Sequence, residues 1–371
     1  MWTNRTRLYP RHCASTSVSK STPAPSALSQ PAAKPSRTGR GTGRITIVDV
    51  ARHVGVSSMT VSRALKTPAL VQQEVRERIA LAIKQLGYVP NQAASTLASA
   101  RSQVIAVLVP SLTNTVFIET LSGIRDYLAQ IGYQFLIGET GYSRDKESQL
   151  IATYLSHAPD GFLLSSVDQH DILRQQLATR NIPAVRMFDL AKSNEDMSVG
   201  FSQIKAGYAV ARHLIERGYR RPAFLAAQLD PRVMKRREGF RKGLVEAGLD
   251  PDAEVLLPQP TTVDMGAQLL SRILAMAPDC DAVFCCNDDL ALGALFECQR
   301  RGIKVPQQMA IAGFNDLSWA ACATPSITTI VTPRYDIGYQ AAHMLIQKLR
   351  GEAIVKARLD LSFQLAVRES T

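Results

Sequence analysis

The chain is 371 residues long, with a formal net charge of +11, charged residues at 20% and hydrophobic residues at 46%. That length leaves room for a small module and a body of two subdomains, and the composition excludes a chain too polar to build a core. The charge is unevenly placed: residues 1–44 carry eight basic and no acidic side chains, residues 45–101 carry seven and three, and the remainder 28 and 29. A polyanion partner is therefore expected at the N-terminal end, and none for the near-neutral body.

Residues 1–44 are rich in Ser, Thr, Pro, Ala and Arg and hold almost no large aliphatic clusters, so they cannot bury enough surface to fold. They read as a disordered basic arm, or as residues translated from a start placed too far upstream. They lack the continuous apolar run of a signal peptide, and no later segment is apolar and long enough to span a membrane; a cytoplasmic protein with no membrane partner is expected.

Residues 45–89 predict a helix-turn-helix head. Ile47, Val50, Ala51 and Val54 share one helical face while Asp49, Arg52 and His53 point away. Gly55 supplies the left-handed turn and Ser57 caps a second helix whose apolar face is Val61, Ala64 and Leu65. Its outward face, Ser58, Met59, Ser62 and Arg63, is small, polar and basic, as a helix entering the major groove requires. A third amphipathic helix, Gln72 to Leu86, carries Val75, Ile79, Ala82, Ile83 and Leu86 and completes a small core. Residues 90–101 form an Ala-rich segment too short to be a stable helix alone, which suits a hinge helix that forms on DNA with Leu97 as a minor-groove wedge, or else a plain linker.

From Gln103 onward short apolar strands alternate with amphipathic helices: VIAVLVP, YQFLIG, GFLLSS and IPAVRMF, with helices expected around Phe117 to Ile131, Arg144 to Ser156 and Gln169 to Arg180. A second set begins near Val199 and includes PAFLAAQ, DAVFCCN and MAIAGF. This predicts an α/β body, residues 102–371, of two doubly wound parallel-sheet lobes with a cleft at the carboxyl ends of the strands. Ser111, Asn114 and Phe117 follow the first strand, Asn287 and Asp288 follow DAVFCC, and Asn315 follows MAIAGF. Amide and hydroxyl groups beside Phe117 and Phe201 suit a polyhydroxylated ligand. Asn287 is expected as the ligand contact and Asp288 as a cap or hinge contact. Arg186 interrupts an apolar strand and Arg334 opens a helix after Thr332-Pro333, so each is either a ligand for an anion or the partner of a protein carboxylate. Cys13, Cys280, Cys285, Cys286, Cys298 and Cys322 form no CxxC pair and read as reduced, buried thiols, with no metal site and no cofactor expected.

VDVARHVGVSSMTVSRALKTP followed by LGYVPNQAASTLAS resembles the DNA-binding head and hinge of the lactose-repressor/galactose-repressor (LacI/GalR) family of bacterial transcription regulators, and the likeness continues to the C-terminus. PSLTNTVF, VFCCNDDLALGALFECQRRGIKVP and VTPR look most like its gluconate-utilisation branch. The resemblance implies a homodimeric regulator on near-palindromic operator DNA, and a body like the periplasmic sugar-binding proteins. Its lobes would span about 102–200 plus 332–361, and 201–331 plus the C-terminal strand, with three crossings between them. By the resemblance the DNA contacts are Ser57, Ser58, Met59, Thr60, Ser62, Arg63, Tyr88, Asn91, Ala94 and Leu97. The effector set is Ser111, Asn114, Phe117, Ser165, Arg186, Phe201, Arg236, Asn287, Asn315 and Arg334, in which Asn315 replaces an Asp common in sugar-binding relatives.

The implied effector is gluconate or a related sugar acid, and the implied role is repression of sugar-acid catabolism genes. A regulator of neutral-sugar metabolism, a sugar-acid enzyme with a DNA-binding head, and a solute-binding protein remain as alternatives. The enzyme lacks a defensible catalytic pair, since His12, His53, His157, His170, His213 and His343 are scattered. No leucine heptad follows LDLSFQLAVR to support a tetramer through a coiled coil.

Overall fold

The protein is described by a computed structural model covering residues 45–89, 101–165, 177–191, 193 and 196–371. The expected arm (1–44), nearly all of the hinge segment with Asn91, Ala94 and Leu97, and most of the helix expected at Gln169 to Arg180 lie outside the described residues.

The head is three helices, α1 (Ile47–Val54), α2 (Ser58–Lys66) and α3 (Gln73–Leu86). Thr46 and Asp49 form a reciprocal capping box at the start of α1, which satisfies donors that the first turn leaves open. Gly55, at φ 74°, ends that helix in the left-handed region where a side chain is disfavoured. The core is Val50, Ala51, Val54, Val61, Ile79, Ala82 and Tyr88. Arg78 on α3 donates to the Val54 carbonyl at 2.6 Å and ties the third helix to the end of the first. Leu65, expected on the apolar face of α2, is exposed instead. Tyr88, which the resemblance implies as a DNA contact, has its side chain in this core.

The body holds two six-stranded sheets. In the first, β1 (Val104–Val109), β2 (Gln134–Glu139), β3 (Gly161–Leu164), β4 (Ala184–Met187), β5 (Ser198–Gly200) and β11 (Arg358–Asp360) run in the order β2-β1-β3-β4-β5-β11, all parallel. The second holds β6 (Pro222–Ala227), β7 (Glu254–Leu257), β8 (Ala282–Cys285), β9 (Ala310–Asn315), β10 (Thr328–Val331) and β12 (Gln364–Ala366). Its order is β7-β6-β8-β9-β10-β12, parallel except for the last pair. Both are doubly wound, with the order reversing between β1 and β3 and between β6 and β8, which puts the ligand-binding crevice at the loops after those strands. The central strands β1, β3, β6, β8 and β9 are buried almost without interruption, as parallel strands covered on both faces must be.

The chain passes between the sheets three times: after β5, after β10 and between β11 and β12. LDLSFQLAVR is therefore two short strands in different sheets. Helices α4 (Val116–Gln130) and α11 (Arg334–Leu349) pack together on the first sheet, and α6 (Gln203–Glu216) and α7 (Pro231–Glu246) on the second. The α6–α7 crossing is so close that a Cβ at Gly239 would overlap the Ile204 carbonyl oxygen, and one at Gly207 would overlap that of Arg236. Cys280, Cys285, Cys286 and Cys298 are buried thiols as expected, whereas Cys322 is exposed. Among the described residues no helix is long and apolar enough to cross a membrane.

Behind the cleft, α9 (Asp288–Arg301) begins with a fully buried carboxylate: Asp288 accepts from Leu317 N at 2.7 Å and from Thr329 Oγ1 at 2.6 Å. Burial pushes its pKa up to about 6. Its folded pKa lies above the unfolded value, so the native state holds the extra proton and stability falls as pH rises from about 4 through about 6. Subtracting the pH–stability profile of Asp288→Asn from that of the wild type is expected to isolate this decline, at most about 3 kcal/mol. A difference profile that rises over that interval would contradict the assignment. Gly239→Ala is expected to destabilise by about 2–4 kcal/mol, because two helix backbones must separate; a denaturation midpoint equal to wild type would contradict the close crossing.

Candidate functional site

On the head, Ser57 caps α2 by accepting from Thr60 N at 3.1 Å, and its hydroxyl lies 2.9 Å from Thr60 Oγ1. Both hydroxyls are thus engaged in starting the helix. Ser58, Met59 and Arg63 are exposed, Met59 at 62%, while Ser62 is half-buried. Such a large thioether left in water at the start of a helix has no packing role in the head, and it can meet an apolar group such as a thymine methyl. Among the described residues the Arg63 guanidinium makes no hydrogen bond or ion pair, so its fork is available to a guanine edge or a phosphate.

In the body a cavity of about 50 Å³ lies between the carboxyl ends of the two sheets. Nearly every parallel strand sends a residue to its wall. Asn114 and Phe117 come from after β1, Tyr142 from after β2, Phe188 from after β4, and Phe201 and Gln203 from after β5; Arg232 and Arg236 come from α7, Asn287 from after β8 and Asn315 from after β9. Phe117 and Phe188 meet edge to face at 5.3 Å, and Phe201 stacks on Phe314 at 6.2 Å. These rings make two apolar walls.

Two arginines one helical turn apart face this space. Arg236 lies 3.8 Å above the Phe314 ring, donates through Nε to Gln203 Oε1 at 2.8 Å and through Nη1 to the Cys286 carbonyl at 2.6 Å. Nη2 makes no hydrogen bond among the described residues. Burial lowers its pKa to about 10, so it remains a cation at neutral pH. Arg232 bonds the carboxylate of Asp230, which also caps α7, and reaches across the cleft to the Ser165 carbonyl at 3.1 Å. With Asp230 pairing Arg232, the wall retains one uncompensated positive charge. A second chamber of about 380 Å³ adjoins the first and shares Tyr142, Gln228, Asp230 and Arg232 with it.

Of the expected effector residues, Asn114, Phe117, Phe201, Arg236, Asn287 and Asn315 come together in the cavity wall. Four others do not. Ser111 is turned into its own loop, accepting from Thr113 N and Asn114 N at 3.2 Å each. Ser165 lines only the larger chamber. Arg186 stands within β4 rather than after its end and lies outside both chambers; among the described residues its Nε is buried without a partner.

Arg334 is also outside both chambers. It donates to the Asn315 carbonyl, to the Asp316 carbonyl at 3.3 Å and to Glu119 at 2.8 Å, so it joins the two lobes. Asn315 and Asp316 have φ of 112° and 56°, a left-handed pair that costs backbone energy. Arg334 holds that turn, and Asp288 anchors the next residue, so both act by presenting Asn315. Asn287 takes the capping role itself, accepting from Leu290 N at 3.1 Å, while its Nδ2 donates to Thr261; Asp288 is not the cap.

Sequence reasoning missed Tyr142, Phe188, Gln203, Gln228, Asp230, Arg232 and Thr261. For Arg232 and Asp230 a signal existed: Asp-Pro-Arg at the end of a strand reads as a helix start, and Arg232 stands four residues before Arg236 on one face.

The bacterial regulatory proteins of the lacI family match residues 46–91, and a periplasmic binding protein-like domain matches residues 211–371. The HTH-type transcriptional regulator GntR of Pseudomonas aeruginosa is 47% identical over 90% of this chain and 97% of its own. The crystal structure of the transcription regulator GntR from Chromobacterium violaceum is 50% identical, superposing with a TM-score of 0.70 over 72% of this chain and 98% of that one. The lac repressor dimer bound to operator and the anti-inducer ONPF superposes with a TM-score of 0.79 at 26% identity, over 88% of this chain and 99% of that one. An exposed reading helix on a three-helix head, a two-lobed body with a polar cleft, and relatives that match almost end to end lead to one conclusion: the chain belongs to the lacI family of bacterial regulatory proteins and is a DNA-binding regulator of transcription.

Proposed function

We propose that the protein is a cytoplasmic homodimer that represses sugar-acid catabolism genes from a near-palindromic operator, and that a gluconate-type acid in the cleft releases it. The observation that carries this reading is the cleft charge: Arg236 is buried to 9% exposure, keeps Nη2 open, and has no carboxylate of its own, because Asp230 is taken by Arg232. A ligand carboxylate would supply the missing charge through a bond about twice as strong as a neutral one. Asn114, Asn287, Asn315 and Thr332 line the same cavity, and their amides and hydroxyl would serve the ligand's hydroxyls. Phe117, Phe188 and Phe201 would cover its C–H faces.

The protein acts by binding, without turnover. Its leverage on DNA is the difference in effector affinity between the DNA-competent and DNA-incompetent arrangements of the dimer. Contacts that span the lobes give that difference a physical form: Lys235 pairs with Asp189, Arg232 reaches the Ser165 carbonyl, and Gln203 Nε2 donates to the Phe188 carbonyl at 2.8 Å. Three of these residues also line the cavity, so a ligand that moves Arg232 or Gln203 shifts the lobes.

DNA retention at fixed salt across gluconate, ketogluconates, their phosphates and neutral sugars tests the assignment. Gluconate-type acids are expected to release DNA and to be recovered unchanged. Conversion of the acid would mark an enzyme, and release by glucose at lower concentration than by gluconate would mark a neutral-sugar regulator.

Arg236→Ala is expected to lose about 1.5–3 kcal/mol of gluconate affinity by calorimetry while operator binding without effector survives. Asn315→Asp should weaken gluconate far more than glucose, since it places a carboxylate in the cavity. Equal losses for acid and neutral sugar would remove the electrostatic argument. On the head, Arg63→Ala is expected to cost roughly 1–3 kcal/mol at one base pair per half-site and to relax specificity there. A loss of the same size on every sequence would instead make Arg63 a phosphate contact.

A further inference from the structure

Resting on the reading of the cleft as a sugar-acid site, we propose that the larger chamber is a second compartment of that site. It is shaped for a neutral polyhydroxyl group carried on the far end of the acid. The first chamber, about 50 Å³, holds Arg236 and the amides that would take the acid, whereas the second is about 380 Å³. That exceeds twice the roughly 150 Å³ that accommodates a benzene ring, so a pyranose ring fits there. The two chambers meet at Tyr142 from one lobe and Gln228, Asp230 and Arg232 from the other, so a single ligand can extend from one into the other.

The chemistry of the wall selects the group. Ser165 is 1% exposed and its hydroxyl has no hydrogen-bond partner among the described residues, an arrangement that costs the fold until something supplies one. The Thr140 hydroxyl likewise makes no hydrogen bond among the described residues, and Thr140 is buried in the same wall. Ser165 follows β3, the strand at which the order of the first sheet reverses, so its place is the one where a doubly wound sheet presents ligand contacts. Charges here balance: Arg144 and Glu147 bring one of each sign, and Asp230 neutralises Arg232. A phosphate would meet the buried Glu147 carboxylate, whereas a sugar ring finds hydroxyl partners along with the apolar surfaces of Leu108, Pro110 and Pro258. The ligand class is therefore a glycosylated sugar acid, an aldobionic acid.

Calorimetry on the full chain with gluconate, glucose, 6-phosphogluconate and melibionate, which is gluconate bearing a galactosyl group on O6, tests the compartment. Melibionate is expected to bind in competition with gluconate. Ser165→Ala should weaken melibionate about fivefold, the worth of one hydrogen bond, while gluconate changes by less than about twofold. The same variant should not lower the thermal midpoint, since the hydroxyl it removes has no partner in the ligand-free fold. Thr140→Val provides an independent variant with the same expected split. Gluconate binding without any melibionate binding overturns the second compartment alone, as does melibionate affinity indifferent to both variants. Tighter binding of 6-phosphogluconate than of melibionate overturns the neutral character of the chamber. Tighter binding of glucose than of gluconate overturns the sugar-acid reading and this inference with it.

Discussion

A guanidinium buried in a cleft wall is the constraint around which the body is organised. Taking Arg236 out of water costs several kcal/mol, and the protein offsets only part of this with a side-chain amide, one backbone carbonyl and the face of Phe314. Each of those partners requires a distinct piece of the fold. Gln203 stands where α6 begins, immediately after the first crossing between sheets, and the Cys286 carbonyl stands at the end of β8. The close crossing of α6 and α7 brings Gln203 within reach of Arg236, so the glycines at that crossing serve the site as much as the packing.

The second cleft arginine, Arg232, is satisfied differently, and the contrast gives the two halves of the cleft their separate characters. Its charge is balanced by Asp230 at the start of the same helix, and its remaining reach goes across the cleft to the Ser165 carbonyl. One guanidinium is left to face a ligand while the other closes a bridge. The Asn315–Asp316 turn shows the same division of labour at the second crossing. There Arg334 from one lobe holds the left-handed backbone of the other and pairs with Glu119, so the residue presenting the Asn315 amide is fixed from both lobes at once. A ligand that pulls on Asn315 therefore pulls on the crossing itself.

The head obeys simpler physics. Its core is six buried residues on three helices with Tyr88 just after the third, and its outward side chains are distinguished by what they leave unpaired. Ser57 and Thr60 spend their hydroxyls on the helix end, and Ser58, Met59 and Arg63 remain as exposed side chains with unspent contact capacity.

The pattern of apolar residues alone was sufficient for the three helices of the head, for the alternation that builds two parallel sheets, and for the strand ends from which Asn114, Phe117, Asn287 and Asn315 reach the cavity. The reason is physical: helix and strand periods and turn chemistry are local, and a doubly wound sheet always presents the same end of its strands to the ligand. Which polar side chains meet was decided elsewhere. In the sequence Arg186, Arg334 and Arg236 are all candidates for holding an anion, and nothing local ranks them. The first stands inside β4, short of the strand end, and misses the cavity; a crossing between lobes turned the second into a brace; of the three, the third faces the cavity. Tyr142, Gln203 and Arg232 came to the site through the approach of two lobes from distant parts of the chain. That approach depends on helix crossings and on hydrogen bonds between residues far apart in sequence, and no local pattern records it.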